Sequence, residues 1–178
     1  MALQLHDKKF VPFIPYADVS AAIDGLAVKI NRDFKDSEDI PVFVCVLTGA
    51  IMFCGELMKR LDFNAEFKSI KLSSYEGTSS TGNVREVMGI SGDITGRRVV
   101  IVEDIVDTGT TIVELKKKLL SLGAAQVKIC TMLLKKDVYK QNVPIDYVAL
   151  EIPNRFIVGF GLDYDELGRN LKDIYVIE

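Results

Sequence analysis

An α/β domain with a mainly parallel, twisted sheet flanked by helices is what this sequence predicts, and three observations predict it. Two short runs, Pro41-Val42-Phe43-Val44-Cys45-Val46-Leu47 and Val99-Val100-Ile101-Val102, are apolar throughout, which is the pattern of strands buried on both faces. Segments with helical spacing of apolar residues lie before and after these runs. Strand and helix patterns therefore alternate along the chain, and such alternation builds parallel sheets.

The elements follow in order. Residues 17–34 carry Val19, Ala22, Ile23, Leu26, Val28 and Ile30 and read as an amphipathic helix, broken by the polar patch 33–39. The 41–47 strand ends at Thr48-Gly49, and 51–61 reads as a second helix. A strand is expected at 64–72. Residues 73–85 (SSYEGTSSTGNVR) are rich in Ser, Thr and Gly, and a loop of that length within a compact domain is usually functional. A strand near 86–90 and a turn at 91–97 lead to Val99-Val102. The helix expected at 110–122 places Ile112, Leu115, Leu119 and Leu122 on one stripe. Further strands are expected at 126–134 and 145–150. No repeat or linker interrupts the pattern, so 1–178 reads as a single domain.

Composition narrows the chemistry. Hydrophobic residues make up 48% and charged residues 26% of 178, enough for a core without disulfides or a structural metal. Cys45, Cys54 and Cys130 are dispersed in apolar runs and fit reduced core thiols. His6 is the only histidine, which removes most histidine-based triads and metal sites. A net charge of −3 offers no broad surface for nucleic acid. No signal-peptide pattern or span-length apolar run appears, so no membrane association and a cytoplasmic address are expected.

The most informative segment is 99–111. A strand buried on both faces should not run into Glu103, Asp104 and Asp107 unless those acids face a site, because unpaired charges resist burial. Ligands of parallel sheets collect at the carboxyl ends of the strands. Directly afterwards Asp107-Thr108-Gly109-Thr110-Thr111 turns the chain into a helix, where backbone N–H groups, hydroxyls and the helix dipole make a phosphate cradle. Capping alone could explain Asp107 or Thr108, but not Glu103-Asp104. Carboxylates beside a phosphate site suit a ligand carrying both hydroxyls and phosphate, such as ribose 5-phosphate.

VVIVEDIVDTGTT resembles the phosphoribosyl pyrophosphate-binding motif of type I phosphoribosyltransferases, and no Walker P-loop occurs. Over roughly residues 10–178 the chain is similar to the hypoxanthine-guanine phosphoribosyltransferase family. The resemblance implies the type I fold, with a small hood subdomain from the chain termini. It implies Mg²⁺-dependent transfer of the phosphoribosyl group from phosphoribosyl pyrophosphate to hypoxanthine or guanine, giving IMP or GMP and pyrophosphate, in a homodimer or homotetramer.

The same resemblance implies the roles. Asp107 would be the general acid/base near N7 of the base. Glu103, Asp104, Asp107, Thr108, Gly109, Thr110 and Thr111 would hold the phosphoribosyl group. Thr48, Gly49 and Arg169 would bind pyrophosphate, in a loop that relatives build with a non-proline cis peptide. Ser74-Tyr75 would open a lid that also includes Ser79-Ser80-Thr81-Gly82. Lys135 would read O6 of the purine, Phe156 would stack on it, Ile157 would bond its edge through the backbone, and Asp163 would complete the purine side. Metal contacts would come from Glu103, Asp104 and Asp163. Lys136 reads as a solvated neighbour. The chain departs from some relatives in having Thr48 first in the loop rather than a basic residue, and Thr110 rather than lysine. Two other readings remain: a nucleotide-sensing regulator that binds RNA, and an enzyme for adenine, orotate or xanthine.

Overall fold

The computed structural model describes residues 2–35, 37, 39–74 and 84–178, with the backbone alone for 73, 74 and 84–88. The chain runs β1 (Leu3–Leu5), β2 (Lys8–Ile14), α1 (Tyr16–Phe34), β3 (Val42–Leu47), α2 (Ile51–Met58), β4 (Glu66–Ser74) and β5 (Val84–Met88). It continues through β6 (Arg98–Val106), α3 (Thr110–Ser121), β7 (Gln126–Leu134), β8 (Tyr147–Glu151), β9 (Ile157–Val158) and β10 (Ile174–Ile177).

Six strands form the main sheet in the order β5-β4-β3-β6-β7-β8. Every pairing from β4 to β8 is parallel, and β5 is added antiparallel to β4. The all-apolar strands take the central places, as expected for strands covered on both faces. Alternate residues supply two cores. Phe43, Cys45, Val100 and Val102 pack with α1 and α2, while Val42, Val44, Val99 and Ile101 pack with α3. The three cysteines are buried free thiols.

The helix stripes differ from the sequence expectation at their edges. Val28 stands roughly half a turn round α1 from Val19 and is 69% exposed; the buried row is Val19, Ile23, Leu26, Ala27, Ile30 and Phe34. Leu122 falls just past α3 and is exposed, while Val113 joins the stripe. Helix α2 stops at Met58 rather than 61. Strand β6 is longer than its apolar run, because pairing with β7 carries it on to Val106.

The second sheet, β1-β2-β10-β9, is antiparallel and joins both ends of the chain, as a hood from the termini requires. Strands β1, β9 and β10 have only two to four residues each, so they carry a weaker sequence signal than the central runs.

One feature of the topology positions the site. From β3 the chain moves outward to β4, then returns to β6 and builds away in the other direction through β7 and β8. The reversal falls between β3 and β6, where open α/β sheets bind their ligands. Pairing of β3 with β6 ends at Cys45–Val102, yet β6 stays paired with β7 to Val106–Leu134. A crevice therefore opens beside the Glu103-Asp104-Ile105-Val106 stretch.

Candidate active site

Successive residues of a strand face opposite ways, and this separates the two neighbouring acids. Glu103 lines an open cleft of about 200 Å³ together with Ile105, Val106, Asp107, Thr108, Gly109, Thr110, Thr111 and Ile112. Asp104, 8% exposed, lies instead against the turn that ends β3. A Cβ on Gly49 would sit 1.7 Å from Asp104 Oδ2, so only glycine permits this approach. The peptide Leu47-Thr48 just before that turn is cis.

A third layer stacks on the turn. Gly161 (φ +100°) is so close to it that a Cβ there would lie 2.0 Å from the Gly49 carbonyl oxygen. Arg169 Nη1 donates to the Gly161 carbonyl at 3.0 Å, and Arg169 Nη2 pairs with Asp163 Oδ1 at 2.8 Å. The other oxygen of Asp163 accepts the Glu166 amide at 2.9 Å. Arg169 Nε is buried and has no partner. Thr48, Gly49, Asp104, Gly161, Asp163 and Arg169 thus form one group, joined by contacts between the main sheet and the loop that follows β9.

The phosphate loop is built by the start of α3. Its N-cap is Gly109, left-handed at φ +83°, and no side chain caps the helix. The first N–H groups of a helix have no partner of their own, so the first turn of α3 presents free donors at the positive end of its dipole. Capping therefore does not account for Asp107 or Thr108. Thr108 and Thr110 approach each other through their hydroxyls at 3.5 Å. Asp107, which also lines the cleft, accepts a 2.8 Å bond from Lys135 Nζ.

Lys135 stands just past the end of β7. Its amide donates to the Val106 carbonyl at 2.9 Å, which ties it to the end of β6, and only 9% of the residue is exposed. Lys136 points away to an exposed pair with Glu151 at 3.0 Å, as a solvated neighbour should. Phe156 lies just before β9, its carbonyl accepting the Ile177 amide at 3.0 Å, and is 46% exposed. It packs on Phe10 (6.2 Å) and edge-on to Tyr164 (5.8 Å, 87°), whose hydroxyl donates to Asp7 Oδ1 at 2.6 Å. Ile157 is buried beside it in β9, paired with Val176. The lid anticipated from Ser74-Tyr75 and residues 79–82 lies outside the described residues, apart from the backbone of Ser74 at the end of β4.

Burial shifts both acids of the crevice. Burial raises the pKa of Glu103 well above the carboxylate range, and the neighbouring Asp104 charge raises it further. Burial also raises Asp104, opposed by its hydrogen bond with Glu103, by backbone amides and by the Arg169 charge. The Asp104 amide donates to Glu103 Oε1 at 3.2 Å, and the Ile105 amide donates to Asp104 Oδ1 at 2.7 Å. A cation placed against this pair would relieve both penalties. Among the described residues no group of three His, Cys, Asp or Glu side chains is arranged to hold a metal ion. Asp163 is tied to Arg169 rather than grouped with Glu103-Asp104. The donor set suits Mg²⁺, which characteristically takes one or two carboxylates and completes its shell from substrate phosphates and water.

Sequence reasoning missed the residues that back the phosphate loop. Tyr139 and Gln141 lie directly behind Gly109, where a Cβ would meet the Tyr139 ring at 2.3 Å and Gln141 Cγ at 2.9 Å. Asp7, which holds Tyr164, and Phe10, which packs on Phe156, were also not singled out. These residues belong to no spacing pattern, and only folding brings them together.

Comparison with known proteins agrees with this geometry. The model of the phosphoribosyl transferase domain matches residues 16–165. A hypoxanthine-guanine-xanthine phosphoribosyltransferase of Tritrichomonas foetus is 41% identical over 163 residues, covering 90% of this chain and 87% of the relative. A hypoxanthine-guanine phosphoribosyltransferase of Streptococcus thermophilus is 38% identical over 162 residues, covering 90% and 89%. Among solved structures, a hypoxanthine-guanine phosphoribosyltransferase of Bacillus anthracis superposes with a TM-score of 0.88 at 33% identity, covering 94% of this chain and 98% of that one. With this match across both loops and the whole-chain likeness beside it, the chain belongs to the phosphoribosyltransferase family and groups with its hypoxanthine-guanine members.

Proposed function

We propose that this protein transfers the 5-phosphoribosyl group from phosphoribosyl pyrophosphate to hypoxanthine or guanine, giving IMP or GMP and pyrophosphate in purine salvage. The observation that carries the reading is the meeting of Asp107 and Lys135 beside a helix start with free amide donors. One end of a nucleotide is read by each side of that junction.

The chemistry follows from these residues. Displacement at C1 of the ribose passes through an oxocarbenium-like state, positive on the ring and negative on the departing pyrophosphate. The 5′-phosphate sits on Thr108, Gly109, Thr110 and Thr111, where amides and hydroxyls need no lysine. Glu103 and Asp104 hold the ribose hydroxyls and favour positive charge on the ring. Thr48, Gly49 and Arg169 receive the pyrophosphate. Phe156 stacks on the purine and the Ile157 backbone meets its edge. Lys135 donates to O6, which selects 6-oxo over 6-amino bases, and Asp107 takes the proton from N7. Glu103, Asp104 and Asp163 would hold Mg²⁺, which would supply positive charge to offset that of the pyrophosphate.

Residues 1–178 act as one unit in this reading, in a homodimer or homotetramer with a cytoplasmic address. No helix among the described residues is long and apolar enough to cross a membrane. An assay of the whole chain with phosphoribosyl pyrophosphate, Mg²⁺ and either base tests the proposal. Nucleotide and pyrophosphate should form in equal amounts and cease with a chelator. Absence of nucleotide from both bases would refute it.

A further inference from the structure

We infer that Gln141 and Tyr139 are positioning residues for the phosphate loop, acting on the direction of the Gly109 N–H. The inference rests on the phosphoribosyl-transfer reading above and adds residues to its phosphate site. Gln141 Nε2 donates to the Thr108 carbonyl at 3.1 Å. A trans peptide fixes its N–H opposite to its C=O, and the sole cis bond among the described residues is Leu47-Thr48. Drawing the Thr108 carbonyl toward Gln141 therefore turns the Gly109 N–H the other way, on the side of the cleft that Gly109 lines.

The Tyr139 ring does the complementary work. It is planted behind the left-handed turn, at 2.3 Å from where a Gly109 Cβ would be, so the loop cannot sink away from a ligand. The ring is itself fixed. Its hydroxyl donates to the Val143 carbonyl, and its flank packs with the core that contains α3. The Tyr139 and Val138 amides both donate to the Lys135 carbonyl at 3.1 Å. One short segment, 135–141, thus anchors the lysine assigned to the base and braces the loop assigned to the phosphate. The brace fixes the phosphate loop before substrate arrives, which removes an ordering cost from binding.

Steady-state kinetics on the whole enzyme, with each substrate varied in turn, test this. Gln141→Met keeps the volume of the side chain and loses its donor; Tyr139→Leu removes the ring. KM for phosphoribosyl pyrophosphate should rise about three- to ten-fold in Gln141→Met, the effect of one lost hydrogen bond. Its kcat and KM for hypoxanthine should stay within about two-fold, since neither contact is touched. IMP affinity should fall by the same factor, and inosine, which lacks the phosphate, should bind unchanged. Tyr139→Leu should show the same split. Active wild-type enzyme with an unchanged phosphoribosyl pyrophosphate KM in Gln141→Met would overturn the inference alone, as would equal rises for both substrates. Wild-type enzyme that forms no nucleotide would overturn the reading beneath it as well.

Discussion

Lys135 and Asp107 form a 2.8 Å ion pair in which the lysine is nearly buried and the carboxylate half exposed. In the function proposed above, a purine entering between them would exchange this bond for two others, O6 on the ammonium and N7 on the carboxylate. Lys135→Met should therefore lose discrimination between 6-oxo and 6-amino bases by about two orders of magnitude or more. Asp107→Asn keeps the shape but not the base and should lower kcat about 100-fold. Steady-state rates on hypoxanthine and adenine check both, and retained discrimination in Lys135→Met would remove the lysine from the purine site.

The stack of Gly161 on Gly49 on Asp104 leaves no room for a methyl group. Gly49→Ala must displace the Asp104 carboxylate or the turn, and a shift of an ångström in a reacting site costs about 100-fold. The loss should appear in kcat/KM for phosphoribosyl pyrophosphate. Full activity in Gly49→Ala would show that the turn does not position the leaving group.

How legible this site was depended on the kind of signal. VVIVEDIVDTGTT could be read because an apolar strand running into acids contradicts burial, and that contradiction has few solutions. The extent of its strand was not legible: β6 runs on past Glu103 and Asp104 to Val106. The apolar run showed where burial stops, but pairing with β7 decides where the strand stops. The hood strands were legible only through family resemblance, because three-residue and two-residue strands carry too little periodicity. Tyr139 and Gln141 gave no signal, since backing a loop from a distant segment requires only shape and one donor.

Phe156 is held from behind by Tyr164, and Tyr164 by Asp7. Phe156→Leu should raise KM for the base about ten-fold, the upper range for an aromatic contact. Tyr164→Phe loses only the bond to Asp7 and should have a smaller effect in the same direction. Base-varied kinetics distinguish them, and a larger effect on phosphoribosyl pyrophosphate would place Phe156 elsewhere in the reaction.

A separate cluster predicts the acid limit of stability. Asp33 Oδ2 accepts the Tyr147 hydroxyl at 2.8 Å and lies 3.3 Å from Lys128 Nζ; Arg32 is 3.5 Å from its other oxygen. The Tyr147 bond first, and then Lys128 and Arg32, lower its pKa below the ordinary 3.8. A depressed carboxylate stabilises the fold fully above its unfolded pKa, and that share is lost as pH falls through the folded value. Tm should therefore decline below about pH 4. Asp33→Asn, which keeps an acceptor for Tyr147, should be less stable at pH 7 and show a shallower acid decline. An unchanged slope would show that other carboxylates set the limit.

The most direct test of the central claim is one competitive reaction containing enzyme, Mg²⁺, phosphoribosyl pyrophosphate and equal amounts of hypoxanthine, guanine and adenine, resolved by chromatography. The Asp107–Lys135 junction beside the phosphate loop predicts IMP or GMP, or both, with pyrophosphate matching their sum and adenine left unused. AMP as the main product, or no nucleotide at all, would contradict it.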